Sequence, residues 1–365
     1  METCFSEDYF TARARFRDAV LRAGGDLTAL AITSKGPGGE DLTIDIGWFG
    51  AERPKRVLVH SSGVHGVEAF AGAAIQLQWL DEGIRDVPEN CAIVLVHVVN
   101  PYGMAWLRRV NEHNVDLNRN CLAPEEAYAG APDGYNALDG FLNPPSGSSR
   151  ESFYLRAAWL IWRFGMPALK QAIASGQYVN PKGLFFGGTS LEEGPRLLRQ
   201  FMRDRMGHVT HLFGIDVHTG LGPFGVDTLL ATDVPGSPAF ETLHATYGNC
   251  VSSLDPDRSP AYKAKGTYDT IFRQALPDAA VYFVVQEFGT YPIVRVFRAL
   301  RAENRRRHFG AGDPNRVVGS ELVDVFAPRD EYWRAAVLCR GRAAICDALH
   351  LAAVQLELLL KSKTR

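Results

Sequence analysis

The 365-residue sequence predicts an α/β fold, with a mixed, largely parallel central sheet flanked by helices on both faces. Short apolar runs at residues 57–60, 92–99, 212–217 and 281–286 alternate with longer helical patterns. Four segments rich in polar, ligand-type residues each follow such a strand. If those strands are neighbours, their carboxyl-end loops converge on one crevice. Because the segments occupy both halves of the chain and must meet, one domain over residues 1–365 is the economical expectation.

In order, residues 6–23 read as an amphipathic helix, followed by strands at 27–33, 42–49 and 56–60. Residues 67–80 return to helical spacing, and a strand at 92–99 follows. Residues 121–150, rich in Ala, Pro, Gly, Ser and Asn, form a long loop excursion. Residues 151–175 and 191–206 are expected to be helices. Strands at 212–217, 228–232 and 281–286 come next, with a helix at 239–247 between them. Helices at 291–308 and 331–360 close the chain. The basic run from Arg295 to Arg307 is expected to be the solvated face of its helix.

The chemistry is concentrated where strands end. After residues 57–60, the loop offers His65 and Glu68, three positions apart and flanked by glycine. A ring nitrogen and a carboxylate at a strand end and the next helical turn can share one Zn²⁺. Asp216-Val-His218-Thr-Gly220, at the end of a second strand, supplies the third ligand. Three protein ligands, His65, Glu68 and His218, with one position open describe a catalytic zinc site binding one ion per chain. His60 and His97 lie inside apolar strands and read as satisfied core residues.

The loop after residues 92–99 carries Asn100-Pro-Tyr-Gly103, Arg108-Arg109 and Asp116-Leu-Asn118-Arg119-Asn120. Arg119 can hold a carboxylate through paired hydrogen bonds, and Asn118 can add another. Arg109 could point at a developing oxyanion, with Arg108 as an equal alternative. Asp116 could accept from the second ring N–H of a metal-bound histidine. The bland alternative is a polar loop held by its own hydrogen bonds. Glu287, in Gln286-Glu287-Phe-Gly289, sits at a strand end, where it would either pair with an arginine or move a proton for an attacking water.

The ordered set HxxE, NP-G with a following arginine and DLNRN, DxHTG and a late strand-end EFG resembles the zinc carboxypeptidase superfamily, which includes succinylglutamate desuccinylase and aspartoacylase. Within it the sequence is most similar to a bacterial carboxypeptidase-like branch. The matching segments span residues 57–291. The resemblance implies His65, Glu68 and His218 as zinc ligands, Asn118 and Arg119 as the carboxylate clamp, Arg109 as oxyanion stabiliser and Glu287 as general base. It implies hydrolysis of an amide or peptide bond in a small molecule or peptide bearing a free carboxylate. An arginine only nine residues before Asn118, and the Asp-Val-His-Thr-Gly form of the third segment, depart from the digestive carboxypeptidases. An N-acyl-amino-acid deacylase of the aspartoacylase type is therefore the first alternative. A silent metal-containing binding protein is the second, and the presence of Glu287 speaks against it. Tyr262 and Tyr268 are both candidates to cap the substrate.

Composition narrows the partners. A formal net charge of −2 offers no general attraction to nucleic acid or anionic lipid, so neither partner is expected. The six cysteines are scattered without a CxxC pair, as in a reducing compartment. With no apolar segment near the first residues and no 18-residue apolar run, a cytoplasmic location is expected. Oligomeric state is open.

Overall fold

The computed structural model describes residues 4–84, 87–145, 153–254, 264–310 and 320–363. Among them eight strands form one sheet: β1 (Asp26–Lys35), β2 (Asp41–Gly50), β3 (Arg56–Ser62), β4 (Cys91–His97), β5 (His211–Thr219), β6 (Asp227–Ala231), β7 (Val251–Ser253) and β8 (Ala280–Phe288). Their order is β1-β2-β4-β3-β5-β8-β6-β7. The central block β4, β3, β5 and β8 is wholly parallel. β2 adds to β4 antiparallel, and β6 adds to β8 antiparallel. The mixed, largely parallel sheet expected from the sequence is therefore present.

Period-two alternation explains how the sheet builds two cores. Leu58, Ile93, Leu95, Phe213 and Ile215 face a layer that includes Phe16, Ala71, Ile75, Trp333 and Ile345. Those residues come from helices Tyr9–Arg22, Ala69–Glu82 and Glu331–Lys363. Val57, Val59, Val94, Val96 and Leu212 face the other way, against Leu198, Phe201, Met202 and Phe272. Helices Glu193–Met206 and Thr270–Ala275 provide that second layer.

Several local expectations change. The 151–175 segment is two helices, Phe153–Phe164 and Met166–Ala174, because Gly165 takes a positive φ of 78° between them. The 121–150 excursion contains a helix at Tyr135–Leu142. The short elements β7 and Thr270–Ala275 leave too few residues for periodicity to register. The basic helix, observed at Ile293–Phe309, is not simply solvated: Arg301, Glu303 and Asn304 are buried, and Arg301 donates to the Phe141 carbonyl. Neither ring nitrogen of buried His97 has a hydrogen-bond partner among the described residues, and the ring stacks on Phe16 at 4.6 Å. His60 is partly satisfied, with Gln76 Nε2 3.3 Å from its Nδ1. None of the six cysteines forms a disulfide, and Cys250, Cys339 and Cys346 are exposed.

Candidate metal centre

β3, β5 and β8 are adjacent and parallel, so their carboxyl ends open on the same side of the sheet. From Ser62 the chain leaves β3, passes His65 in extended conformation, and makes a short 3-10 turn, Gly66–Glu68, before helix Ala69–Glu82. That turn packs backbone to backbone on the arginine loop. A Cβ on Gly66 would lie 2.0 Å from the Gly103 carbonyl carbon, which explains glycine there. The Gly66 and Val67 N–H groups donate to the carbonyls of Arg109 (3.1 Å) and Arg108 (3.0 Å). The HxxE turn and the arginine loop are thus one assembly.

His65, Glu68 and His218 are all buried and bring one ligand atom each within 4.8 Å of one another. The rings of His65 and His218 stand edge to face, 4.8 Å between centroids at 87°. Each ring is oriented the same way. Its Nε2 meets an aspartate: His65 with Asp116 at 2.9 Å and His218 with Asp216 at 2.5 Å. Its Nδ1 faces Glu68, at 2.8 Å for His65 and 3.4 Å for His218. The aspartates take up both Nε2 atoms, so both Nδ1 atoms face the same carboxylate, and the space between them must hold either protons or a cation. His65 Nδ1 has no hydrogen-bond partner among the described residues. This donor set of two imidazoles and one carboxylate fits Zn²⁺.

Asp216 was not anticipated, although the signal was present. Two residues apart on one strand, Asp216 and His218 share a face. Ser61, the register partner of Asp216 on β3, donates to its Oδ1 at 2.6 Å. The carboxylate that orients His218 is therefore itself oriented.

The electrostatics follow from burial and these contacts. Burial opposes ionisation of Glu68, but the adjacent imidazoles of His65 and His218 outweigh it and hold the carboxyl well below its usual range. Burial likewise opposes ionisation of Asp116, and the charges of Arg109, His65 and Arg119 overcome it. His218 is raised well above an ordinary histidine: burial disfavours the cation, but Asp216 and Glu68 prevail. Glu287 behaves oppositely. Burial and then the charge of Glu68 push it up to about 7, although Leu221 N–H donates to its Oε1 at 2.8 Å.

The arginines separate. Arg108 turns away to Glu303 (2.7 Å) and Asn114 (3.0 Å). Arg109 pairs with Asp116, lies 3.6 Å from Glu68 and stacks over Phe185. Arg109 also lines a cavity of about 450 Å³ that contains His65, Glu68, His218 and Glu287. Asn118 and Arg119 line the same cavity. Arg119 is buried, with Nε donating to Ala174 O at 2.7 Å and one terminal nitrogen to Asn118 O at 2.5 Å. The Asn118 side-chain carbonyl accepts from Tyr268 N–H at 2.9 Å. Tyr268 is buried in the cavity wall, and Tyr262 lies outside the described residues. A second group, Glu112, His113 and Glu192, also brings three ligand atoms together, but the His113 side chain is 66% exposed.

Fold and site together define an α/β protein with a buried His-Glu-His constellation at the carboxyl end of a parallel block. The chain belongs to the family described as "Protein of unknown function (DUF2817)", whose model matches residues 5–340. No curated protein is similar to it. Among solved structures, carboxypeptidase A from Helicoverpa armigera aligns over 93% of this chain and 74% of its own, at 15% identity and a TM-score of 0.44. Bovine thrombin-activatable fibrinolysis inhibitor aligns over 92% and 98%, at 14% identity and a TM-score of 0.43. A succinylglutamate desuccinylase from Silicibacter aligns over 78% and 67%, at 12% identity and a TM-score of 0.40.

Proposed function

We propose that this protein is a zinc-dependent hydrolase that cleaves an amide or peptide bond in a small substrate bearing a free carboxylate. One observation carries the reading: the Nδ1 atoms of His65 and His218 converge with Glu68, while aspartates hold both Nε2 atoms. Orienting both rings toward one point is what metal binding requires.

When bound there, Zn²⁺ supplies Lewis-acid polarisation of a carbonyl and makes a water easier to deprotonate. Glu287 takes the proton of the attacking water and returns it to the leaving nitrogen, a role suited to a carboxyl poised near neutrality. Arg109 presents its guanidinium to the oxygen on which charge develops, while Asp116 fixes its position. Asn118 and Arg119 hold the substrate's carboxylate at the cavity wall, with the Arg119 fork braced by two backbone carbonyls.

The test is to load purified protein with Zn²⁺ and assay it against short peptides with free or amidated C-termini and against N-acyl amino acids. Hydrolysis of carboxylate substrates, lost in Glu287→Gln, is the expected result. The set of substrates cleaved separates a peptidase from a deacylase. No hydrolysis of either class by metal-loaded protein would overturn the reading.

A further inference from the structure

Helix Phe153–Phe164 is apolar on both sides, and only one side is covered. Phe153, Ala157 and Leu160 are buried against Tyr135, Leu138 and Phe141. The outward side carries Leu155 at 71% exposure, Trp162 at 80% and Trp159 at 54%, with Tyr154 at its flank (54%) and Phe164 (49%) at the helix end. Leu155, Trp159 and Trp162 follow the i, i+4, i+7 spacing of one helical face. No other helix among the described residues exposes so many large apolar side chains, and such a cluster marks an interaction surface.

Charge and shape select the partner. From Phe153 to Ala174 the sequence holds Arg156, Arg163 and Lys170 and no acidic residue. Arg156 and Arg163 are exposed. A second copy of the chain docking through the same face would set these cations against their own equivalents. A partner groove is also a poor description, since a tryptophan 80% exposed projects from the surface. Projecting indole and phenol rings interleaved with arginines are the composition of helices that lie in a membrane interface.

We propose that helix Phe153–Phe164 docks this protein peripherally on a bilayer containing anionic phospholipid. No helix among the described residues is long and apolar enough to cross a membrane, so attachment through this helix is in-plane. The overall charge of −2 does not oppose it, because screening over about 8–10 Å leaves the lipid responding to the local patch. The docked face adjoins the cavity through Gly165: the next helix, Met166–Ala174, places Lys170 and Ala174 in the cavity wall. The inference does not depend on the proposed hydrolase activity.

The test is co-sedimentation of the full chain with phosphatidylcholine vesicles, with and without phosphatidylglycerol, alongside size-exclusion chromatography with light scattering. The parent should sediment with anionic vesicles, much less with neutral ones, and be released by salt. Trp159→Ser combined with Trp162→Ser should lower partitioning by roughly tenfold or more, and Arg163→Glu, a single exposed change, should weaken only the anionic component. No binding to anionic vesicles overturns the proposal, as does equal binding by the variants. Self-association of the parent that the tryptophan changes abolish, without vesicle binding, would show instead that the face covers a second copy.

Discussion

His218 and Glu287 are register partners on the adjacent parallel strands β5 and β8. Their Cα atoms are therefore one strand spacing apart, about 4.8 Å. The sheet ladder itself sets a metal-type histidine beside a carboxyl that burial and Glu68 push up to about 7. No loop flexibility intervenes between them. Gly289, which follows, allows the turn: a Cβ there would fall 2.1 Å from the Pro223 carbonyl.

Glu287→Gln keeps the shape and removes the base. Zinc content measured by elemental analysis should be unchanged, while kcat falls by about 10² or more. Near-normal turnover in the variant would remove Glu287 from the chemistry.

Metal binding should depend on both shells of the site. His65→Ala and His218→Ala should each empty it, and Asp116→Asn or Asp216→Asn should weaken affinity by about 10–100-fold through the Nε2 contacts. Metal titration monitored by calorimetry reads each constant. Chelation should also lower the melting temperature, since the ion binds only the folded constellation. Full metal retention in both alanine variants would refute the ligand set.

Arg119→Lys keeps the charge but loses the planar fork. For a carboxylate substrate kcat/KM should fall by roughly 2–4 kcal/mol, chiefly through KM. The C-terminal amide should be a poor substrate of the parent and respond little. Equal activity on acid and amide would leave Arg119 a structural residue, tying the loop to the Ala174 carbonyl.

Acid should destabilise the fold through buried histidines. Burial, helped by the charges of Arg17 and Arg13, lowers His97 to about 3, and burial lowers His60 to about 4. An unfolded histidine titrates near 6.5, so below that pH the unfolded chain gains protons that the folded chain refuses. The stabilisation is complete above about 6.5 and declines toward the folded values, by ~1.4 kcal/mol per pH unit for each histidine. His97→Leu should reduce this slope by one histidine's share. Urea unfolding at a series of pH values between 7 and 4.5 measures it, and an unchanged slope would contradict the assignment.

The candidate site residues were legible because each sits beside a local signal. His65, Glu68, His218 and Glu287 lie just past or at the ends of apolar strands, where periodicity shows that the chain changes from core to loop. Most helices were legible for the same reason, and the split at Gly165 was missed because the apolar pattern runs through it.

What the sequence by itself determined is therefore the residue types and the local elements: apolar runs that must be strands, polar clusters that must follow them, and a donor set suited to zinc. Only the tertiary structure decided which of two consecutive arginines enters the cavity, since neighbouring residues point apart and Glu303 claims Arg108. It also decided that β3, β5 and β8 are neighbours, that Asp216 holds His218, and that the apolar helix Phe153–Phe164 keeps one side uncovered. The physical reason is range. Periodicity reports the chain within a few residues of itself, whereas strand order, ring orientation and exposure depend on contacts between segments tens to hundreds of residues apart.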